Sequence, residues 1–296
     1  MSQKFNYGGQ AVIEGVMMRG RKAAVTAVRR PNGELALDIQ PVPGIYNSRM
    51  RRIPLLRGII VLIEAMVLGI RSLLYSANVS LEEEEEKLSQ KSIWMMVFFA
   101  LVLAVGLFFL APLFLTKLAN PFLPSSLIFH IVEGLIRLGF FIAYLWFISL
   151  LPDIKRVFTY HGAEHMTVNA FEASVPMETD AIRKYSTTHV RCGTSFIFVV
   201  LVIAVVVFAF IGRQSFMVML LSRILLIPVI AGASYEVTYF GARHAHNRLV
   251  RAILTPGLWL QSLTTGKPDD RQLEVATVAL QKAVEIDDME EARAAS

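Results

Sequence analysis

The stretch IWMMVFFALVLAVGLFFLAPLFL, Ile93–Leu115, runs for 23 positions without a charged residue. About 20 predominantly apolar residues suffice for a helix to cross the hydrocarbon core of a bilayer, so this segment places the chain among membrane proteins. The whole composition agrees: 54% of the 296 residues are hydrophobic and the mean hydropathy is +0.52. Working outward, three further spans are expected over about Leu127–Leu151, Thr194–Ile211 and Phe216–Tyr235, the last holding Arg223 and a helix-kinking Pro228. The Leu127–Leu151 span carries His130, Glu133 and Arg137. Charges inside hydrocarbon need partners, and Glu133 and Arg137, four apart, share a helix face where they can pair. A polar interhelical clamp is the reading favoured over a substrate path. The fold class expected is an all-α polytopic membrane protein with about four transmembrane helices.

The flanks add smaller pieces. Residues 53–79, IPLLRGIIVLIEAMVLGIRSLLYSANV, are broken by Glu64 between Arg57 and Arg71. Glu64 and Arg71 lie on one helix face, so an amphipathic helix in the membrane interface is expected there rather than a further span. Residues 1–52 form a basic segment; up to Arg57 the chain holds ten Lys/Arg against only Glu14, Glu34 and Asp38. Within it, two β-leaning runs flank Pro31-Asn32-Gly33 and predict a hairpin. Residues 80–91, with glutamates at 82–86, read as a solvated acidic linker. The membrane domain then covers 92–238 and contains a hydrophilic segment, 152–193. In the tail, 239–296, Leu273, Ala276, Leu280 and Val284 recur at the period of a soluble helix, and Trp259 marks a segment suited to the membrane interface.

Charge sets the expected orientation. The joining segments 116–126 and 212–215 carry one cation each, Lys117 and Arg213, while 152–193 and the tail carry many more. The excess of Lys/Arg on cytoplasmic loops puts both termini and 152–193 in the cytoplasm of a multi-pass cell (inner or plasma) membrane protein. The N-terminus has no apolar h-region, so no secretory signal is expected. The bilayer is the main partner expected, with anionic headgroups touching the basic N-terminal segment; homo-oligomers stay open, and no specific nucleic-acid binding is predicted. Cys192 is the only cysteine, which excludes an intramolecular disulfide and leaves a buried thiol, a metal ligand or a reactive group.

Chemistry concentrates in 152–193. TYHGAEHMTVNAFE places His161, His165 and Glu172 on one face of a helix. Two imidazoles at i and i+4 can hold one divalent ion such as zinc, and Glu164 completes the H-x-x-E-H order in which the glutamate is a general base. A third ligand must come from elsewhere; Glu236, His189 and Glu172 are the candidates, with Cys192 and Tyr160 as alternative or supporting groups. All map to the same membrane face by topology. The competing reading is two interfacial histidines hydrogen-bonded to neighbours. The glycine-rich GGQAVIEGVMMRG lacks nucleotide-loop spacing, and His244 and His246, two apart, read as a solvated turn.

The stretches GGQAVIEGVMMRG, YHGAEH, RCGTSF, SYE and TPGLWLQSLTT, in this order, resemble the bacterial YqhQ-like family, domain of unknown function 1385, over nearly the whole chain. The resemblance implies an uncharacterised integral membrane protein described as a predicted metal-dependent enzyme. By position it carries over Glu14 and Arg19, then His161, Glu164 and His165, then Arg191 and Cys192, then Glu236. The functional expectation is a metal-dependent hydrolase acting at the cytoplasmic membrane face. A non-enzymatic assembly or scaffold factor is the alternative, and a small transporter built on Glu133, Arg137 and Arg223 a further one.

Overall fold

The computed structural model describes residues 5–44, 51, 53–81, 90–244 and 246–295. The core of the acidic linker, 82–89, lies outside the described residues, as do Lys4, Arg49 and Arg52 of the basic segment.

The N-terminal segment is an antiparallel meander of four strands, β1 (Gly8–Val12), β2 (Gly15–Arg19), β3 (Ala23–Arg29) and β4 (Leu35–Pro41), paired in that order. The hairpin at Pro31-Asn32-Gly33 joins β3 to β4, with Gly33 at a positive φ of 90°. The hairpin before it, β1–β2, comes out of the glycine-rich stretch. There Gly9 and Gly15 face neighbouring carbonyls that a Cβ would meet at 2.2 and 2.3 Å.

Side chains alternate across a strand, and β2 and β3 are buried on both sides. Val16, Met18, Val25 and Ala27 face one core; Met17, Ala24 and Val28 face the other way. Helix α1 (Leu56–Ser80) covers that second face with the stripe Glu64, Leu68, Ser72, Ser76 and Val79. Ser72 takes a hydrogen bond from Thr26 at 2.9 Å, and Glu64 an ion pair from Arg19 at 2.6 Å. The first face is covered by α5 (Pro152–Glu172) and by the C-terminal helix, α11 (Asp270–Ala295), through Leu273, Ala276 and Leu280. The sheet is thus the middle of three layers, assembled from residues that the membrane helices separate in sequence. Asp287 of α11 ties the layers: its carboxylate accepts from the backbone N–H groups of Arg21 and Lys22 and from the Tyr7 hydroxyl, at 2.6–3.0 Å.

The apolar helices are α2 (Gln90–Val105), a π-helical turn (Gly106–Leu110) and α3 (Ala111–Leu118) in one line, then α4 (Ser126–Ser149), α7 (Gly193–Ile211), α8 (Phe216–Leu225) and α9 (Ile227–Arg243). A short α6 (Thr179–Ile182) precedes α7, and α10 (Arg248–Gln261) follows α9. Among the described residues, four helices are long and apolar enough to cross a membrane: Leu56–Ser80, Trp94–Leu118, Ser126–Ser149 and Gly193–Ile211. The pair α8–α9, bent by 50° just before Pro228, is a fifth candidate as one broken span. Helix α1 passes by length and apolarity, yet a sheet lies along its buried stripe while Ile63, Met66, Val67 and Leu73 stand exposed on its outer side. A helix crossing the bilayer would carry that sheet's polar edges into hydrocarbon; the sheet therefore argues for α1 lying in the interface.

The intramembrane charges gather in one cluster. Arg223 binds both oxygens of Glu133, at 3.1 and 2.6 Å, and Arg137 bonds Glu133 at 2.7 Å and the Phe108 carbonyl in the π-helical turn at 2.9 Å. Glu133 is therefore shared by two arginines rather than balanced by one, and it fastens α4 to α8.

Candidate functional site

Helix α5 opens with Pro152 in its first turn and Asp153 beside it, both favourable at a helix start. It carries little amphipathic character because both sides are covered: one by the sheet and α11, the other by the loops 186–192 and 261–266. The i, i+4 spacing brings the His161 and His165 rings to 4.4 Å between centroids. His161 Nδ1 lies 2.8 Å from the Thr264 carbonyl, and His165 Nδ1 lies 2.6 Å from the Thr187 carbonyl. A carbonyl can only accept, so each Nδ1 carries the hydrogen, and in a neutral ring each Nε2 presents a lone pair. This is the arrangement in which a backbone acceptor orients a metal-binding histidine.

The third group is Cys192. Its sulfur lies 3.4 Å from His161 Nε2, and ligand atoms of His161, His165 and Cys192 all fall within 4.8 Å of one another. Tetrahedral zinc with Zn–N and Zn–S bonds of normal length separates such donors by roughly 3.3–3.7 Å, so small side-chain adjustments close the set. Cys192 caps α7 and accepts the Thr194 N–H, at the positive end of the helix dipole. Glu164 sits alongside: Oε1 accepts the Gly9 N–H at 2.8 Å, and Oε2 is 3.4 Å from His165 Nε2. Two imidazole lone pairs and a sulfur therefore converge, with a Glu164 oxygen beside His165. Three such donors could hold a divalent cation and leave the fourth tetrahedral position open.

The other sequence candidates are placed elsewhere. Glu236 does not join the group: Arg57 engages both of its oxygens, and the Leu55 N–H donates to Oε1 at 3.0 Å. It fixes the start of α1, where Leu55 holds a positive φ of 67°, against α9. The His189 ring lies 5.8 Å from that of His165 and tilted to it, but its Nε2 turns to Glu172 at 3.5 Å and its Nδ1 accepts the Arg191 N–H. Burial works to raise the Glu172 carboxyl, but the hydrogen bond from His189 and the Arg191 guanidinium outweigh it and hold it below the usual carboxylate range. Tyr160 is buried behind the site, its hydroxyl on Glu14 at 3.3 Å; burial and the Glu14 charge push its ionisation upward. Glu14 also binds Arg156, so both residues pin the β1–β2 turn to α5, as Arg19 pins β2 to α1 through Glu64.

Backbone groups that carry no sequence signal complete the site: the Gly9 N–H and the Thr187 and Thr264 carbonyls. Gly162, inside YHGAEH, is what lets the Thr264 loop approach; a Cβ there would stand 2.0 Å from the Gly266 carbonyl. Gln261 locks that loop to the 189–195 segment, accepting the His189 N–H and donating to the His189 carbonyl and to Ser195 Oγ at 2.7–2.8 Å. Three of the quoted stretches held residues of this set without naming their part: GGQAVIEGVMMRG contains Gly9, YHGAEH contains Gly162, and TPGLWLQSLTT contains Gln261 and Thr264.

His161 and Cys192 open into a cavity of about 770 Å³ between α1, α5, α9 and the start of α7. The profile of a family described as a protein of unknown function, DUF1385, matches residues 53–286. The uncharacterized protein YqhQ of Bacillus subtilis (strain 168) is 34% identical over 301 residues, spanning 96% of this chain and 94% of that relative. No solved structure matches.

Proposed function

This chain belongs to the DUF1385 family of proteins of unknown function, and from that premise we propose that it is a metal-dependent membrane enzyme with a hydrolytic site at the cytoplasmic face. The observation that carries the reading is the convergence of His161 Nε2, His165 Nε2 and Cys192 Sγ with both imidazole Nδ1 atoms already committed to backbone carbonyls. A bound zinc would polarise the scissile group and bring a bound water's pKa to about 7. The chain's own residues do the rest. Glu164 is held by the Gly9 N–H through one oxygen, which leaves the other facing the ligand group to accept a proton from water and return it to the leaving group. The loops carrying Thr187 and Thr264 orient the imidazoles. The positive-inside bias of the Lys/Arg-rich segments supports a cytoplasmic position for the three-layer unit and the site.

The test is metal analysis of the purified full-length protein. One equivalent of zinc or a similar divalent ion is expected, lost in His161→Ala, His165→Ala and Cys192→Ser and kept in Glu236→Gln. Metal-free wild-type protein, or stoichiometry indifferent to these changes, would return the cluster to a Cys–His hydrogen bond beside a Glu–His pair.

A further inference from the structure

The cavity over His161 and Cys192 has a divided lining. Its apolar wall is Val61, Leu62 and Ala65 of α1 with Phe158 of α5; Arg191 and Arg243 supply its charge, and no Asp or Glu lines it among the described residues. Arg191 stands next to Cys192 at the floor, with one side of its guanidinium on Glu172. Arg243 is exposed, bonds the Tyr239 hydroxyl at 3.1 Å and rests over the Tyr239 ring, with no carboxylate partner among the described residues. The two helices that wall the cavity touch at Gly58 and Gly232, where added Cβ atoms would strike the partner helix within 3 Å. Their outer faces expose Ile63, Met66, Val237 and Phe240. The cavity thus lies between two apolar surfaces, where a hydrocarbon chain could enter without crossing water, and its volume falls in the roughly 300–1,000 Å³ range of small-molecule sites.

We propose that this cavity binds an anionic amphiphile, a molecule with one phosphate or carboxylate head and a hydrocarbon chain. The head sits between Arg191 and Arg243, beside the ligand group, and the chain lies along Val61, Leu62 and Ala65. Charge-assisted contacts from guanidinium to phosphate or carboxylate are the strong ones available, and Arg243, with no carboxylate partner among the described residues, together with the side of Arg191 turned away from Glu172, selects against neutral lipids. This names the substrate class of the enzyme reading above and rests on it for chemistry; binding itself needs no metal.

Purified full-length protein in zwitterionic nanodiscs, held in chelator, is exposed to a photoactivatable lysophosphatidic acid, and the labelled residues are mapped. Saturable labelling of Val61–Ala65 and Phe158 is expected. Lysophosphatidic acid and free fatty acid should compete; monoacylglycerol and inorganic phosphate should not. Arg243→Gln should raise the half-saturating concentration about tenfold, a change of about 1.4 kcal/mol. Leu62→Trp should abolish labelling while zinc stoichiometry, measured without chelator, is unchanged; Ala65→Trp serves if Leu62→Trp fails to fold. Labelling confined to the outer residues Ile63 and Met66, or equal competition by monoacylglycerol, overturns the proposal. Competition by inorganic phosphate overturns it too, in favour of a site for the head alone. Absence of zinc with intact labelling would sink the enzyme reading and leave this one standing.

Discussion

At the scale of single residues, the site depends on contacts that leave no room for substitution. Gly162 faces the Gly266 carbonyl across a gap that an alanine Cβ would cut to 2.0 Å. Gly162→Ala must push away the loop that carries Thr264, the acceptor for His161 Nδ1. A cost of about 1–3 kcal/mol, the usual range for overpacking, is expected as a lower thermal midpoint, together with weakened zinc retention; an unaltered midpoint and full zinc would show that the loop is free to shift. Glu172 gives a pH signature. Its folded-state pKa lies below the ordinary carboxylate value of 4.5, because His189 and Arg191 outweigh the burial that would raise it. The sign follows: the group stabilises the fold above the ordinary value and loses that contribution as pH falls through the depressed one. Glu172→Gln should therefore melt lower than wild type at neutral pH, and the gap should close as the pH drops below about 4.5. A gap that stays constant with pH would mean the ion pair does not matter. The choice of third ligand was beyond the sequence at this scale. Glu236, His189, Glu172 and Cys192 were all candidates, and only the positions of Arg57 and the 186–192 loop decide which of these side chains are already engaged.

At the scale of elements, α4 and α8 are joined by a carboxylate shared between two guanidiniums. Glu133→Gln would leave Arg137 and Arg223 buried without a countercharge, and breaking a buried pair in this way typically costs about 3–5 kcal/mol. Loss of folded protein on detergent extraction is expected, with partial rescue in Glu133→Gln/Arg223→Met, which removes the stranded charge along with its partner. If the single variant is as stable as wild type, the cluster is free for transport chemistry and is no clamp. The spans, the Pro228 bend and the helical run of α5 were legible because charge-free runs and the 3.6-residue period are strong local signals. Strands β1 and β2 were not, since Gly9 and Gly15 dilute the strand pattern at the points where neighbouring backbones come closest. Helix α1 was legible as a helix interrupted by Glu64, but the reason for Glu64, an ion pair to Arg19 of the sheet, lies 45 residues away in sequence.

At the scale of the whole molecule, residues 5–44, α1, α5 and the C-terminal helix build one three-layer unit beside the other apolar helices. Its middle strands cannot stay folded without covers on both faces. Leu273, Ala276, Ala279, Leu280 and Ala283 of α11 are fully buried against the sheet and α5, and Asp287 holds the β2–β3 turn by two backbone hydrogen bonds. A scaffold in which the C-terminal helix is a detachable arm predicts that trimming it removes a partner and nothing else. The packing predicts otherwise. Without residues 270–295, Val16, Met18 and Val25 lose cover on one face, each such side chain forfeiting up to about 1.5–3 kcal/mol, more than a small sheet can absorb. The truncated chain should insert its spans normally, yet become sensitive to protease within residues 5–44 and lose zinc, because Gly9 and the helix bearing His161 no longer share a core. Asp287→Ala should move in the same direction by about 1–3 kcal/mol, through the turn amides it leaves unpaired. A truncated protein that keeps a protease-resistant sheet and its metal would show that α11 is an appendage, and the scaffold reading would then regain its footing.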